Sequence, residues 1–172
     1  MKNTKCKTTN YLVPFLFTIY MALLVWIVLF KLQFSISELD SIRSINLIPF
    51  YYDNEINIAF HLNEVLKNVA IFIPFGIYLS VFETIPNFKR KLILISVTSL
   101  VLETAQYILA IGRSDITDLL TNISGGLIGI CFYWFGLKLF RSKKRADFII
   151  TVVASIATVL VLGVLFILLA AN

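Results

Sequence analysis

Residues 11–30 read YLVPFLFTIYMALLVWIVLF, an unbroken apolar run without a single charge. A hydrocarbon core roughly 30 Å thick needs about 20 residues of helix to cross it, so this segment is long enough to span a bilayer. It is too long for the apolar region of a secretory signal, which typically has about 7–15 residues before a small-residue cleavage site, and it reads as a retained span.

The rest of the chain follows the same pattern. Of 172 residues, 59% are hydrophobic and 15% are charged, and the mean hydropathy is +0.88. One small soluble core cannot hide that much apolar surface. Segments long enough to cross fall at about 11–30, 65–82, 91–111, 117–139 and 147–170. The expected fold is therefore an all-α integral membrane protein, one domain over 1–172 with about five transmembrane helices, placed in the cell membrane as a multi-pass protein. The second span becomes a full crossing only if the residues from about Glu64 belong to it.

Basic residues set the expected orientation, because Lys and Arg accumulate in short cytoplasmic loops. With the N-terminus inside, all but Lys31, Arg43, Lys67 and Arg113 of the 15 basic residues are cytoplasmic. The net charge of +5 then reflects basic inner loops that suit an anionic leaflet, with no nucleic-acid partner. Cys6 and Cys131 stand at different depths, so no disulfide between them is expected.

The first external loop, about 31–64, is rich in aromatic residues and Asn. Pro49 biases Ile48 toward an extended backbone, Phe50, Tyr51 and Tyr52 suit the headgroup boundary, and a loosely amphipathic pattern from Ile56 predicts a short interfacial helix on the outer surface. His61 lacks a second His or Cys at metal spacing, so no metal site is expected, and no cofactor motif is present.

The most polar stretch is ETAQYILAIGRSDITDLLTNISGG, Glu103 to Gly126. Glu103 and Gln106 are one turn apart on one helix face, and Glu103 lies roughly 12 Å inward of the outer end at about 1.5 Å per residue. After a tight turn at Gly112, Arg113 and Ser114, the residues Asp115, Asp118 and Asn122 share one face of the next, antiparallel helix. Asn122 reaches about 9 Å of depth, and Asn68 at the outer start of the second span falls in the same layer. These seven residues, Glu103, Gln106, Arg113, Asp115, Asp118, Asn122 and Asn68, form the expected ligand-binding or functional polar cluster.

Structural roles compete for several of them. Ser114 or Asp115 can cap a helix while Asp118 answers its dipole. Arg113 can snorkel to the surface, and Asn122 and Gln106 can form interhelical hydrogen bonds of about 1 kcal/mol each. Gly125, Gly126 and Gly129 suit close helix packing, while Pro74 and Gly76 predict a kink or break. Glu103 resists such an account: a charged acid within the membrane costs about 2.5 kcal/mol or more and ordinarily faces a partner or a cavity. The cluster, net acidic or sharing protons, suits an amine-bearing ligand, a hydrogen-bonded headgroup or a proton relay. The fifth span, interrupted only by Thr151, Ser155, Thr158 and Gly163, reads as a peripheral anchor.

Taken in order, WIVLFKLQF, NLIPF, NVAIFIPFG and ETAQYILAIGRSDITDLLTNISGGLIG resemble the VanZ-like family over roughly 20–170. The combined pattern E-x-x-Q…R-x-D-x-x-D-x-x-x-N-x-x-G-G is specific where each short motif alone is weak. The resemblance implies a membrane protein of a Gram-positive bacterium that lowers susceptibility to teicoplanin, a glycopeptide with a fatty acyl chain, without remodelling the peptidoglycan terminus. It brings no catalytic residues, so the cluster stands as an inference from polarity and depth. Expected partners are membrane lipids and either teicoplanin or a lipid-linked cell-wall precursor, with binding or shielding at the outer leaflet as the leading mechanism. The alternatives are a membrane enzyme or a flippase acting on a lipid-linked envelope substrate. Against catalysis, the chain has no paired nucleophile and base and no phosphate-cradling glycine loop. The sequence leaves the oligomeric state open.

Overall fold

The computed structural model describes residues 5–30, 43–50, 58–82 and 87–171. They run in the order α1 (Lys5–Phe30), β1 (Arg43–Asn46), α2 (Ile58–Val81), α3 (Phe88–Leu109), β2 (Gly112–Asp115), α4 (Ile116–Phe140) and α5 (Lys143–Ala171). All five helices are long and apolar enough to cross a membrane, over Tyr11–Phe30, His61–Val81, Phe88–Leu109, Ile116–Phe140 and Lys143–Ile167. The segments expected from composition agree with these to within a few residues, because apolar length governs both.

The chain divides into two units, Leu24–Trp134 and a second made of Met1–Leu23 with Phe135–Asn172. In the second, four hydroxyls are satisfied within their own helices. Thr18 Oγ1 donates to Pro14 O at 3.0 Å in α1. In α5, Thr151 Oγ1 donates to Asp147 O at 2.7 Å, Ser155 Oγ to Thr151 O at 2.8 Å and Thr158 Oγ1 to Ala154 O at 2.8 Å. Such bonds to the preceding turn let a hydroxyl sit on an apolar helix without an external partner.

In the unit Leu24–Trp134, α2 and α4 meet backbone to backbone. A Cβ built on Gly76 would stand 1.9 Å from Gly126 O, one on Gly125 2.2 Å from Val69 O and one on Gly129 2.0 Å from Ile73 O. Only glycine permits that approach, and dispersion between the apposed backbones replaces the hydrophobic drive that lipid does not supply. Phe72 and Ile95, both fully buried, fill the remaining space with Phe75 and Leu102, and the rings of Phe72 and Phe75 meet edge to face at 5.9 Å. Of the kink or break expected at Pro74 and Gly76, the structure excludes the break, since α2 is continuous through Pro74, and Gly76 makes the contact with α4.

The α3 ends are capped in different ways. Asn87 Oδ1 accepts the Lys89 amide at 2.9 Å, and Ala110 adopts the left-handed conformation at φ 54° while Ile111 N donates to Gln106 O at 3.2 Å. Lys91, at the start of the third expected span, is buried; its Nζ donates to Ser80 Oγ at 3.3 Å, and Ser80 Oγ donates to Gly76 O at 2.9 Å.

Two further features depart from the sequence reading. Residues from Ile58 to Glu64, expected in a separate short helix, form the first turns of α2; Ile56 and Asn57, like Tyr51 and Tyr52, lie outside the described residues. The expected tight turn at Gly112–Ser114 is the strand β2, paired parallel with β1 in the register Arg43↔Gly112 to Asn46↔Asp115. The α2–α3 pair is the crossover that parallel strands require. Pairing the strands satisfies backbone groups that would otherwise lie unpartnered beside apolar helices. Asn46 Nδ2 fastens the end of the ladder by donating to Asp115 Oδ2 at 2.9 Å.

Two predictions follow from this packing. Gly129→Leu and Gly126→Leu will lower the yield of folded protein in size-exclusion chromatography, overpacking costing about 1–3 kcal/mol or more; Gly136→Ala and Gly163→Ala, whose added Cβ meets nothing within 4 Å, will leave it unchanged. A thermal-unfolding cycle of Asn46→Ala with Asp115→Ala in detergent will give a coupling of about 1 kcal/mol, and strict additivity of the two changes would show the bond to be idle.

Candidate functional site

The polar residues of the unit Leu24–Trp134 gather where α3 ends, β2 passes and α4 begins. Helix α4 starts at this point because Asp115 is its N-cap. Its Oδ1 accepts the Thr117 amide at 2.8 Å, leaving Asp118 in the first turn of the helix, where a carboxylate favours the dipole. The second Asp115 oxygen is taken by Asn46. Asn46 Oδ1 in turn accepts the Ile48 amide at 3.1 Å, and Thr117 Oγ1 accepts the Phe50 amide at 3.0 Å. The segment after β1 is thus clasped to the start of α4.

Glu103 completes the junction from α3. Its side chain is 4% exposed, and its Oε2 accepts the Asp115 amide at 3.1 Å. The Ser114 side chain also hydrogen-bonds this carboxyl, which feels the charges of Asp118 and Asp115. Asn68 of α2 donates from Nδ2 to Asp118 Oδ1 at 2.6 Å. Two hydrogen-bonded sets therefore meet at this point, one joining Glu103, Asp115, Asn46 and Thr117 and one joining Asn68 to Asp118, and they bring three carboxyls close together.

One turn further along, Asn122 Nδ2 donates to Ser99 Oγ at 3.0 Å, so Asn122 pairs with the residue one turn from Glu103 rather than with Glu103 itself. Gln106 donates from Nε2 to Val28 O at 2.8 Å, tying α3 to α1. Gln106 Oε1 and Asn122 Oδ1 are buried without a hydrogen-bond partner. Arg113 occupies β2 opposite Ser44, and its side chain lies outside the described residues. His61 stands apart from this group, with Nδ1 3.9 Å from Glu64 Oε2 within α2.

Of the seven residues singled out in the sequence, Glu103 bonds Asp115 and Asn68 bonds Asp118 at the same junction, with Asn122 and Gln106 on the flanking turns. Asn46, Thr117, Ser114 and Ser99 were missed. Their roles arise from partners distant in sequence, 69 positions apart for Asn46 and Asp115, and no local periodicity reports them. Asp115 has both oxygens engaged in capping and clasping, so its part is structural. Among the described residues no group of three or more His, Cys, Asp or Glu is arranged to hold a metal ion. The arrangement offers carboxyl and amide oxygens that accept hydrogen bonds.

With this geometry in view, comparison with known proteins is informative. The VanZ/LLP1 family matches residues 17–141, a range that contains every residue of the junction. Protein VanZ of Enterococcus faecium is 39% identical over 149 residues, covering 86% of this chain and 88% of the relative. No solved structure matches the chain. The family match spans most of the five-helix sequence and the relative aligns along nearly its whole length, so this chain belongs to the VanZ/LLP1 family.

Proposed function

We propose that this protein lowers susceptibility to teicoplanin by binding or shielding at the outer leaflet of the cell membrane, engaging either the acylated glycopeptide or the lipid-linked precursor it targets. Family membership supports antibiotic resistance. The observation that carries the site is the meeting of Glu103, Asp118 and Asn68 from three helices at one helix junction. Buried acids in membrane helices ordinarily serve a partner or a cavity.

The positive-inside rule puts the α3–α4 junction on the exterior, because the basic pairs at Lys89–Arg90 and Lys143–Lys144 flank the opposite helix ends. Teicoplanin is held at that surface by its acyl chain, each buried methylene contributing about 0.8 kcal/mol. Protection against such a molecule is most effective where the chain enters the leaflet, the side on which the basic loops put the junction.

Two measurements test this reading. Glu103→Gln and Asp118→Asn keep shape and remove charge; each will weaken ligand binding by about tenfold or more and return teicoplanin susceptibility toward that of cells without the protein, at equal abundance. Full protection by both variants would make the acids scaffold. Leu47→Cys, placed in a chain with Cys6 and Cys131 changed to Ser, will react with a membrane-impermeant maleimide from the cell exterior; labelling only after lysis defeats the outer-leaflet assignment.

A further inference from the structure

The hydrogen bonds at the α4 start discriminate between ligand charges. A helix N-terminus ordinarily offers free amides to an anion, but here the Thr117 amide is held by Asp115 Oδ1 and the Asp115 amide by Glu103 Oε2. Two of the amides that a phosphate could use are thus already held by carboxylates. Beside them the junction offers unpartnered acceptors.

Two of these are independent of the acids. Gln106 is 5% exposed and Asn122 1% exposed, and Gln106 Oε1 and Asn122 Oδ1 have no hydrogen-bond partner. The Gln106 amide is oriented by its bond to Val28 O, since only its nitrogen can donate to a carbonyl. Helical side chains lean toward their own N-terminus, so Gln106 leans toward Glu103 one turn before it, and Asn122 reaches Ser99 on the turn of α3 that precedes Glu103. Buried acceptors of this kind are costly unless a donor reaches them.

The rim supplies the second half of the recognition. Ile45, Leu47, Ile48 and Phe50 are 56%, 75%, 59% and 49% exposed, although the backbone between them is fixed by Asn46 Oδ1 on the Ile48 amide and Thr117 Oγ1 on the Phe50 amide. An ordered apolar turn is thus clasped to the same α4 start that carries Asp115 and Asp118.

We propose that the junction binds cationic amphiphiles: the protonated primary amine of an acylated ligand donates to the Glu103 carboxyl and the Gln106 and Asn122 amide oxygens, and its acyl chain lies over Leu47, Ile48 and Phe50. This assignment rests on the outer-leaflet binding reading and names the ligand chemistry of that site. Charge and N–H donors together select the head group, and the apolar turn selects for chain length.

The test uses the full chain in phosphatidylcholine nanodiscs, titrated with dodecylammonium, dodecyltrimethylammonium and dodecyl phosphate, with empty nanodiscs as baseline. Dodecylammonium will bind above baseline. The quaternary probe, which keeps the charge without N–H donors, and the Glu103→Gln protein with dodecylammonium will each be weaker by about tenfold or more. Leu47→Ser with Ile48→Ser alters exposed positions only and will shrink the affinity gained between octylammonium and dodecylammonium. Dodecyl phosphate binding as tightly as the amine, dodecylammonium binding at baseline, or no effect of Glu103→Gln overturns the proposal. Loss of teicoplanin protection in Glu103→Gln cells without any protein-dependent amine binding removes the amine assignment and leaves the outer-leaflet site. Retained protection with Glu103-dependent amine binding upholds the assignment and removes the role in protection.

Discussion

A polar group carried into apolar surroundings has no water to fall back on, so it must find its partner inside the protein. At the α3–α4 junction this requirement is met by one contact above all, the Glu103 carboxyl accepting the Asp115 amide. That bond reaches from inside α3 to the N-cap of α4 and sets where the chain can turn. The Asn46 clasp, the Thr117 bond to the Phe50 amide and the Asn68 bond to Asp118 extend the same solution to β1 and α2.

This arrangement depends on helices that approach closely. Gly76, Gly125 and Gly129 let the α2 and α4 backbones touch, and that contact brings Asn68 within reach of Asp118. A larger residue at the crossing would separate the two helices and pull apart side chains that never touch the glycines. Packing and polarity are thereby linked: the small residues carry no chemistry, yet they fix the spacing of the groups that do.

Function divides along the same lines. Asp115 spends both oxygens on capping and clasping, whereas the buried amide oxygens of Gln106 and Asn122 have no hydrogen-bond partner. An acceptor-rich layer beneath an apolar rim is complementary to an amphiphile with a donor head. The chain that carries it belongs to the VanZ/LLP1 family.

By itself the sequence determined the five apolar lengths, the approximate span limits and the presence of Glu103, Asp115, Asp118 and Asn68 in one polar layer, because apolar length and helical spacing are local properties of the chain. It also named the packing glycines Gly125, Gly126 and Gly129 without naming their partners. Only the tertiary structure decided that Gly112–Asp115 is a strand paired with Arg43–Asn46, that Gly76 serves packing in an unbroken α2, that Lys91 is buried against Ser80, and that Asn46 and Thr117 belong to the junction. Each of these is settled by a group many residues away. A short polar segment beside apolar helices takes whichever partner the fold brings to it, and its own spacing carries no record of which one that is.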